Sequence, residues 1–293
     1  MKYQQSIGEK AFDAANVTAL GLVSLAAVYP FLYVLGLSFA TPQSLADGGL
    51  LLWPSEFTLT AYELVLTDEG IRYGYFNTIF RTVFGTIATL CMTSLAAYPL
   101  SRKSMPWRRK LIFFVLFTML FSGGLVPRYI LIKNLGLIDN RLVYIIPMML
   151  TAFNVIILKN FFQQIPDSYA EAAKMDGAGE FTILFRVFIP LSKPALATIA
   201  LWTCVAHWNH WFDGLIFITS DSKQILQVFL QRIVIENNVA QMQAGVVDFD
   251  KADFASEAVK AATIVITVIP VIIVYPFLQR YFIKGITLGG IKE

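Results

Sequence analysis

The chain has 293 residues, 56% of them hydrophobic and 15% charged, with a mean hydropathy of +0.62. Soluble domains carry about 25% charged residues, so this composition suits lipid rather than water. The formal net charge is only +3, and no basic cluster is interleaved with aromatics, which leaves nucleic-acid binding without support.

Lys2 and Lys10 precede an apolar stretch from Val17 to about Ala40. It is longer than the ~7–15-residue core of a signal peptide and reads as a retained first span. Charge-free windows place spans between Asp13 and Asp47, Arg81 and Arg102, Lys110 and Arg128, Arg141 and Lys159, Lys193 and Asp213, and Lys260 and Arg280. The shortest windows, 111–127 and 142–158, are near the lower limit for crossing ~30 Å of hydrocarbon. Only helices satisfy their backbone groups in lipid at this length, so the expected fold class is all-α, with six transmembrane helices. Neither a repeat nor a linker divides the chain, and 1–293 reads as one transmembrane domain. Cys91 and Cys204 fall within apolar runs and read as small hydrophobes rather than a disulfide pair.

Basic loops orient the spans. "SRKSMPWRRK" between spans two and three has five basic residues and no acid, so it is expected in the cytoplasm. The connection from about Thr41 to Phe80 carries Asp47, Glu56, Glu63, Asp68 and Glu69 against Arg72, and belongs outside. Both termini are then cytoplasmic, as is "DSYAEAAKMDGAGEF" between spans four and five. In that segment Ser168 and Glu171 are spaced as a capping box, so a helix is expected to start at Tyr169, and Gly177 is placed to end it. About two turns are too short to be stable alone in water. Such a helix must rest on its own membrane domain or dock into another protein.

"EAAKMDGAGEFTILFRVFIP", Glu171 to Pro190, resembles the EAA signature of ABC-importer permeases. The match consists of Glu171, Ala172, Ala173, Gly177 and the Val187, Ile189, Pro190 element. "FSGGLVPRYILIKNLGLIDNRLVYIIP" and "YPFLQRYFIKGITLGGIKE" extend the resemblance from about Arg81 to the C-terminus. They are similar to carbohydrate permeases of the maltose-permease type, most of all those for polysaccharide fragments such as alginate oligosaccharides. The resemblance implies that the Glu171 helix is a coupling helix seated on an ATP-binding subunit. Glu171 would pair with a basic residue of that subunit, and Gly177 would let the chain turn away. Its implied partners are a homologous permease, two ATPase subunits and an extracytoplasmic sugar-binding protein, in a bacterial cytoplasmic (inner) membrane. No cofactor is expected in this chain. It has no G-x-x-x-x-G-K-[ST] loop, so ATP and magnesium would be used by the partners.

Three further stretches bear on the path. "HWNHWFD" sets His207, His210 and Asp213 at three-residue spacing on one helical face, among Trp208, Asn209 and Trp211. Metal ligation, an interfacial aromatic belt and a sugar-lined path all fit that pattern. Family members often have a Trp-Asn pair here, which favours the path. Arg128, Lys133 and Arg141 against Asp139 suggest either charges at an interface or an electropositive mouth for acidic saccharides. "ENNVAQMQAGVVDFDKADFASEAVK" reads as a solvated external loop, which the resemblance would bring to the binding protein; the closing "KGITLGGIKE" would reach the ATPase interface. The expected function is an oligosaccharide importer's permease, without enzymatic activity. An ion-coupled secondary transporter and a membrane-embedded metalloenzyme are the alternatives.

Overall fold

The computed structural model describes residues 6–41, 44, 54, 56–233 and 257–273. Among these the chain is helical, its one extended pairing an isolated bridge between Ala40 and Phe57. It forms two compact units. One runs to Asp68 and includes Arg232–Val268; the other is Glu69–Gln231 with the residues from Ile269 on.

In the first unit α1, Ile7–Ser38, is apolar and almost wholly exposed, as a lipid-facing helix is. Ser6 and Glu9 close a capping box at its start: the Glu9 amide donates to Ser6 Oγ at 3.2 Å, and the Ser6 amide to Glu9 Oε2 at 2.7 Å. The chain then turns back so that Phe39 packs on Tyr62 of α2, Thr60–Thr67, with centroids 5.0 Å apart.

The second unit is organised by α3, Glu69–Ser101. The expected second span began at Arg81, but the helix starts twelve residues earlier, because Arg81 is a buried part of it and not its boundary. Thirty-three residues make about 50 Å of helix against ~30 Å of hydrocarbon, so an end projects beyond the lipid. The following helices are broken. α4, Arg108–Leu120, and α5, Leu125–Asn134, meet at 113° where "FSGG" interrupts them and Gly124 takes φ 81. Short 3-10 turns over Arg141–Met148 meet α6, Ala152–Phe162, at 49°. After α7, Asp167–Met175, come α8, Glu180–Leu191, and α9, Lys193–Asn209, bent by 82°. Pro190 and Pro194 explain this bend: each removes a helical donor, and α8 widens to a π-turn over Leu184–Phe188 just ahead of the first. α10 is Phe212–Phe217; a further helix covers 226–233, and α11, the last among the described residues, occupies 257–273.

Two helices are thus long and apolar enough to cross a membrane, and up to five spans are present among the described residues if each bent pair counts as one. Expected spans three and four are not straight helices, and the sixth falls on α11 and on residues outside the described ones. The core of the second unit sits where α3, α6 and α8 meet. There Tyr98, Phe162 and Phe188 pack edge to face over Leu158, Ile183 and Ile199. At the other end of α3, Tyr144, Val143, Phe217 and Ile225 form a second cluster.

Candidate functional site

The α7 helix is held at both ends and along one face. Pro166 precedes it, and the helix begins at Asp167 with no side-chain cap. The expected Ser168–Glu171 capping box does not form, since Ser168 already lies within the first turn. Asp167 instead places its charge at the helix N-terminus and pairs with Arg102 at 3.3 Å. At the other end Gly177 adopts φ 80. Its amide donates to the Lys174 carbonyl and that of Ala178 to Ala173, both at 2.9 Å. This is a Schellman closure, and it needs a residue that tolerates a left-handed backbone.

Inward, Ala170 is fully buried in the core and Ala173 packs against it. Lys174 Nζ reaches Glu180 Oε1 at 2.6 Å, and Tyr98 Oη donates to Glu180 Oε2 at 2.6 Å. Outward, Glu171 and Ala172 are exposed, and so are Tyr169, Met175 and Phe181, with Met175 88% accessible. Pro190 is also exposed, about one turn beyond Arg186 on α8. A short helix fixed on one side that shows bare apolar side chains on the other is built to be covered.

Near the other end of α3, Asp213 collects cations. Arg81 Nη2 lies 3.3 Å from Oδ2 and Arg128 Nη2 2.9 Å from Oδ1, while His210 Nδ1 is 3.5 Å from Oδ2. Arg81 and Asp213 are both completely buried, whereas the Arg128 side chain is 39% exposed. Arg81 also donates to the His210 carbonyl at 2.6 Å and lies over the Tyr144 ring. Two guanidinium groups against one carboxylate leave an excess of positive charge, with the outer arginine reachable.

The expected face of His207, His210 and Asp213 is interrupted. α9 ends at Asn209, His210 is extended, and a new helix starts at Phe212. His207 is buried against Gly85, where an added Cβ would come within 2.6 Å of the imidazole. Trp208 is buried beside Tyr75, while Asn209 is exposed and His210 and Trp211 are partly so. The described residues contain no group of three His, Cys, Asp or Glu side chains able to hold a metal ion. Both oxygens of Asp213 already serve arginines.

Of the expected mouth residues, Arg128 belongs to this cluster and Lys133 is exposed on α5. Arg141 donates to Asn77 Oδ1 at 2.8 Å and to the Ser222 carbonyl at 3.3 Å. Asp139 opposes none of the three. It takes φ 53 and binds Lys223 Nζ at 2.6 Å, with Ser220 Oγ and the Ser220 amide at 2.7 and 2.9 Å. The Lys223 ammonium, then the Ser220 hydroxyl and amide, hold its carboxyl below the usual carboxylate range. Of the external acidic stretch singled out in the sequence, residues 257–260 open α11, with Lys260 paired to Glu257 at 2.7 Å; its preceding residues and the C-terminal tail lie outside the described residues.

Sequence reasoning missed Arg81, which it used as a span boundary. The signal was there: in "YFNTIFRTVFGT" the arginine is flanked by apolar runs on both sides, and a charge so placed needs an internal partner.

These features define a helical membrane protein with an exposed short helix, α7, and a buried charged cluster. Residues 70–288 match the family of binding-protein-dependent transport system inner membrane components, and the chain belongs to it. It is similar to the polygalacturonan/rhamnogalacturonan transport system permease protein YtcP of Bacillus subtilis, 39% identical over 97% of this chain and 99% of the relative. Protein LplC of the same organism is also 39% identical, over 97% of this chain and 95% of its own length. Among solved structures, a chain of a bacterial ABC transporter that imports the acidic polysaccharide alginate superposes with a TM-score of 0.87. It is 36% identical and covers 95% of this chain and 99% of its own. The chain is an ABC-importer permease of the carbohydrate type, and not an enzyme.

Proposed function

We propose that this chain forms one side of the membrane path of an importer for acidic oligosaccharides, with α7 as its coupling helix. In this reading 1–293 acts as one transmembrane domain, with both termini and α7 in the cytoplasm. A homologous permease completes the path, two ATPase subunits consume ATP and magnesium, and a binding protein delivers the sugar. The observation that carries it is the two-sided character of α7. Its inner face is locked by Ala170, Arg102–Asp167 and Lys174–Glu180, while Tyr169, Glu171, Ala172 and Met175 face out. A rigid element of this kind passes on the motion of whatever covers it. Glu171 offers a charge for pairing, and Gly177 and Pro190 set where the chain leaves the interface.

The acidic substrate is supported by the surplus positive charge of the Arg81–Arg128–Asp213 cluster, by Lys133 and Arg141, and by the acidic polysaccharides named for two of the similar proteins. Asn209, His210 and Trp211 are the accessible candidates for lining the path. His207, Trp208 and Asp213 are packed away and would meet sugar only after α3 and α9 part. In proteoliposomes of the complete transporter, Glu171→Lys is expected to insert normally while ATP-driven uptake is lost. Unimpaired uptake would remove the coupling role.

A further inference from the structure

We propose that Arg72, Tyr73 and Phe76 of α3, with Glu69 and Arg141, form a subsite for one carboxylate-bearing sugar unit. It rests on the acidic-saccharide reading above and gives that reading a specific place. Residues 69, 72, 73 and 76 follow an i, i+3, i+4, i+7 spacing and so share one face of α3. With Arg141 they line a cleft of about 350 Å³, within the ~300–1,000 Å³ range of small-molecule sites. The cleft lies at the end of α3 away from α7. The helix is longer than the hydrocarbon is thick, so this end can stand in water.

Three features suit the cleft to a uronide. First, Arg141 is aimed before any ligand arrives. Its Nε is held by Asn77, which is itself buried and donates to the Ser222 and Gln224 carbonyls at 3.0 and 2.8 Å. The guanidinium also lies over the Phe76 ring, 5.6 Å from its centroid. A fork fixed in this way loses little freedom on binding a carboxylate. Second, Arg72 is exposed and forms no ion pair among the described residues, so its guanidinium is open to a ligand. Third, Tyr73 and Phe76 are exposed large rings beside these cations, and ring faces pack on the apolar faces of pyranoses. Glu69 reduces the net charge of the cleft to +1 and can accept hydrogen bonds from the sugar hydroxyls.

The test uses the complete purified transporter in two arms. Uptake into proteoliposomes is measured for trigalacturonate and for its carboxyl-reduced neutral counterpart. Direct binding of both is measured by calorimetry on the transporter freed of its binding protein. The wild type is expected to import and bind the acidic sugar in preference. Arg72→Gln, which breaks no ion pair among the described residues, is expected to weaken trigalacturonate binding about tenfold, the scale of one charge-assisted hydrogen bond. Binding of the neutral sugar should not change, and Arg141→Gln should shift binding of both sugars, with a lowered melting temperature because it leaves the buried Asn77 Oδ1 without its donor. A wild type that imports only the neutral sugar would overturn the acidic-saccharide reading, and the subsite with it. Import of the acidic sugar with no effect of Arg72→Gln on binding, or with equal losses for both sugars in that variant, would overturn the subsite alone.

Discussion

Asp213 shows how a single carboxylate organises a membrane-embedded region. With Arg81 at its side and no exposure for either, removing the acid strands a guanidinium in the interior. Asp213→Asn is expected to destabilise the protein by about 3–5 kcal/mol, the cost of breaking one side of a buried pair. Replacing Arg81 and Asp213 together by leucine should cost less, because the guanidinium then left without the carboxylate, that of Arg128, is 39% exposed and not buried; thermal melting in detergent compares the two. Asp139 makes a pH-dependent contribution. Its carboxyl is held below the ordinary range by Lys223 and Ser220, so the stabilisation is complete above the unfolded value of about 4 and is lost as pH falls further towards the folded one. The melting-temperature gap between wild type and Asp139→Asn should be constant from neutral pH to about pH 5 and shrink below it. Asparagine tolerates the left-handed backbone at this position, which isolates the charge. None of these pairings was legible in the sequence. Arg81 and Asp213 are 132 residues apart, and spacing says nothing about which distant charges meet.

At the scale of elements, α7 was the most readable. Its length and its glycine stop followed from local chemistry, since a Schellman closure is written into a few adjacent residues. The N-terminal cap was not readable, because Pro166 and the Arg102–Asp167 pair begin the helix earlier than Ser168 would. Gly177→Ala should fold and insert, for nothing crowds that position, yet the left-handed backbone would cost about 1–2 kcal/mol. The expected result is reduced uptake with normal amounts in the membrane, checked by quantifying both in one preparation. The bent spans were less accessible to sequence. Charge-free windows mark where lipid is tolerated, and they do not reveal that Gly124 breaks one helix or that Pro190 and Pro194 bend another by 82°. The start of α3 was missed for a related reason: a window that stops at charges stops at Arg81, whose charge is satisfied within the protein.

For the whole molecule, an all-α membrane fold and a transport role could be read early, because low charge, long apolar runs and the EAA segment all constrain the chain in the same direction. The structure adds a spatial division along α3. The exposed α7 lies at one end and the Arg81–Arg128–Asp213 cluster towards the other, which suits the proposed importer, with ATP spent on one side and sugar arriving on the other. Coupling of this chain to an ATPase through α7 can be read from a tagged chain purified from its native host in mild detergent. Mass spectrometry is expected to find an ATP-binding subunit and a second permease with the wild type, and the ATP-binding subunit depleted when Glu171→Lys is used. A chain that comes down alone or only with itself, across several mild detergents, would rule out coupling through α7.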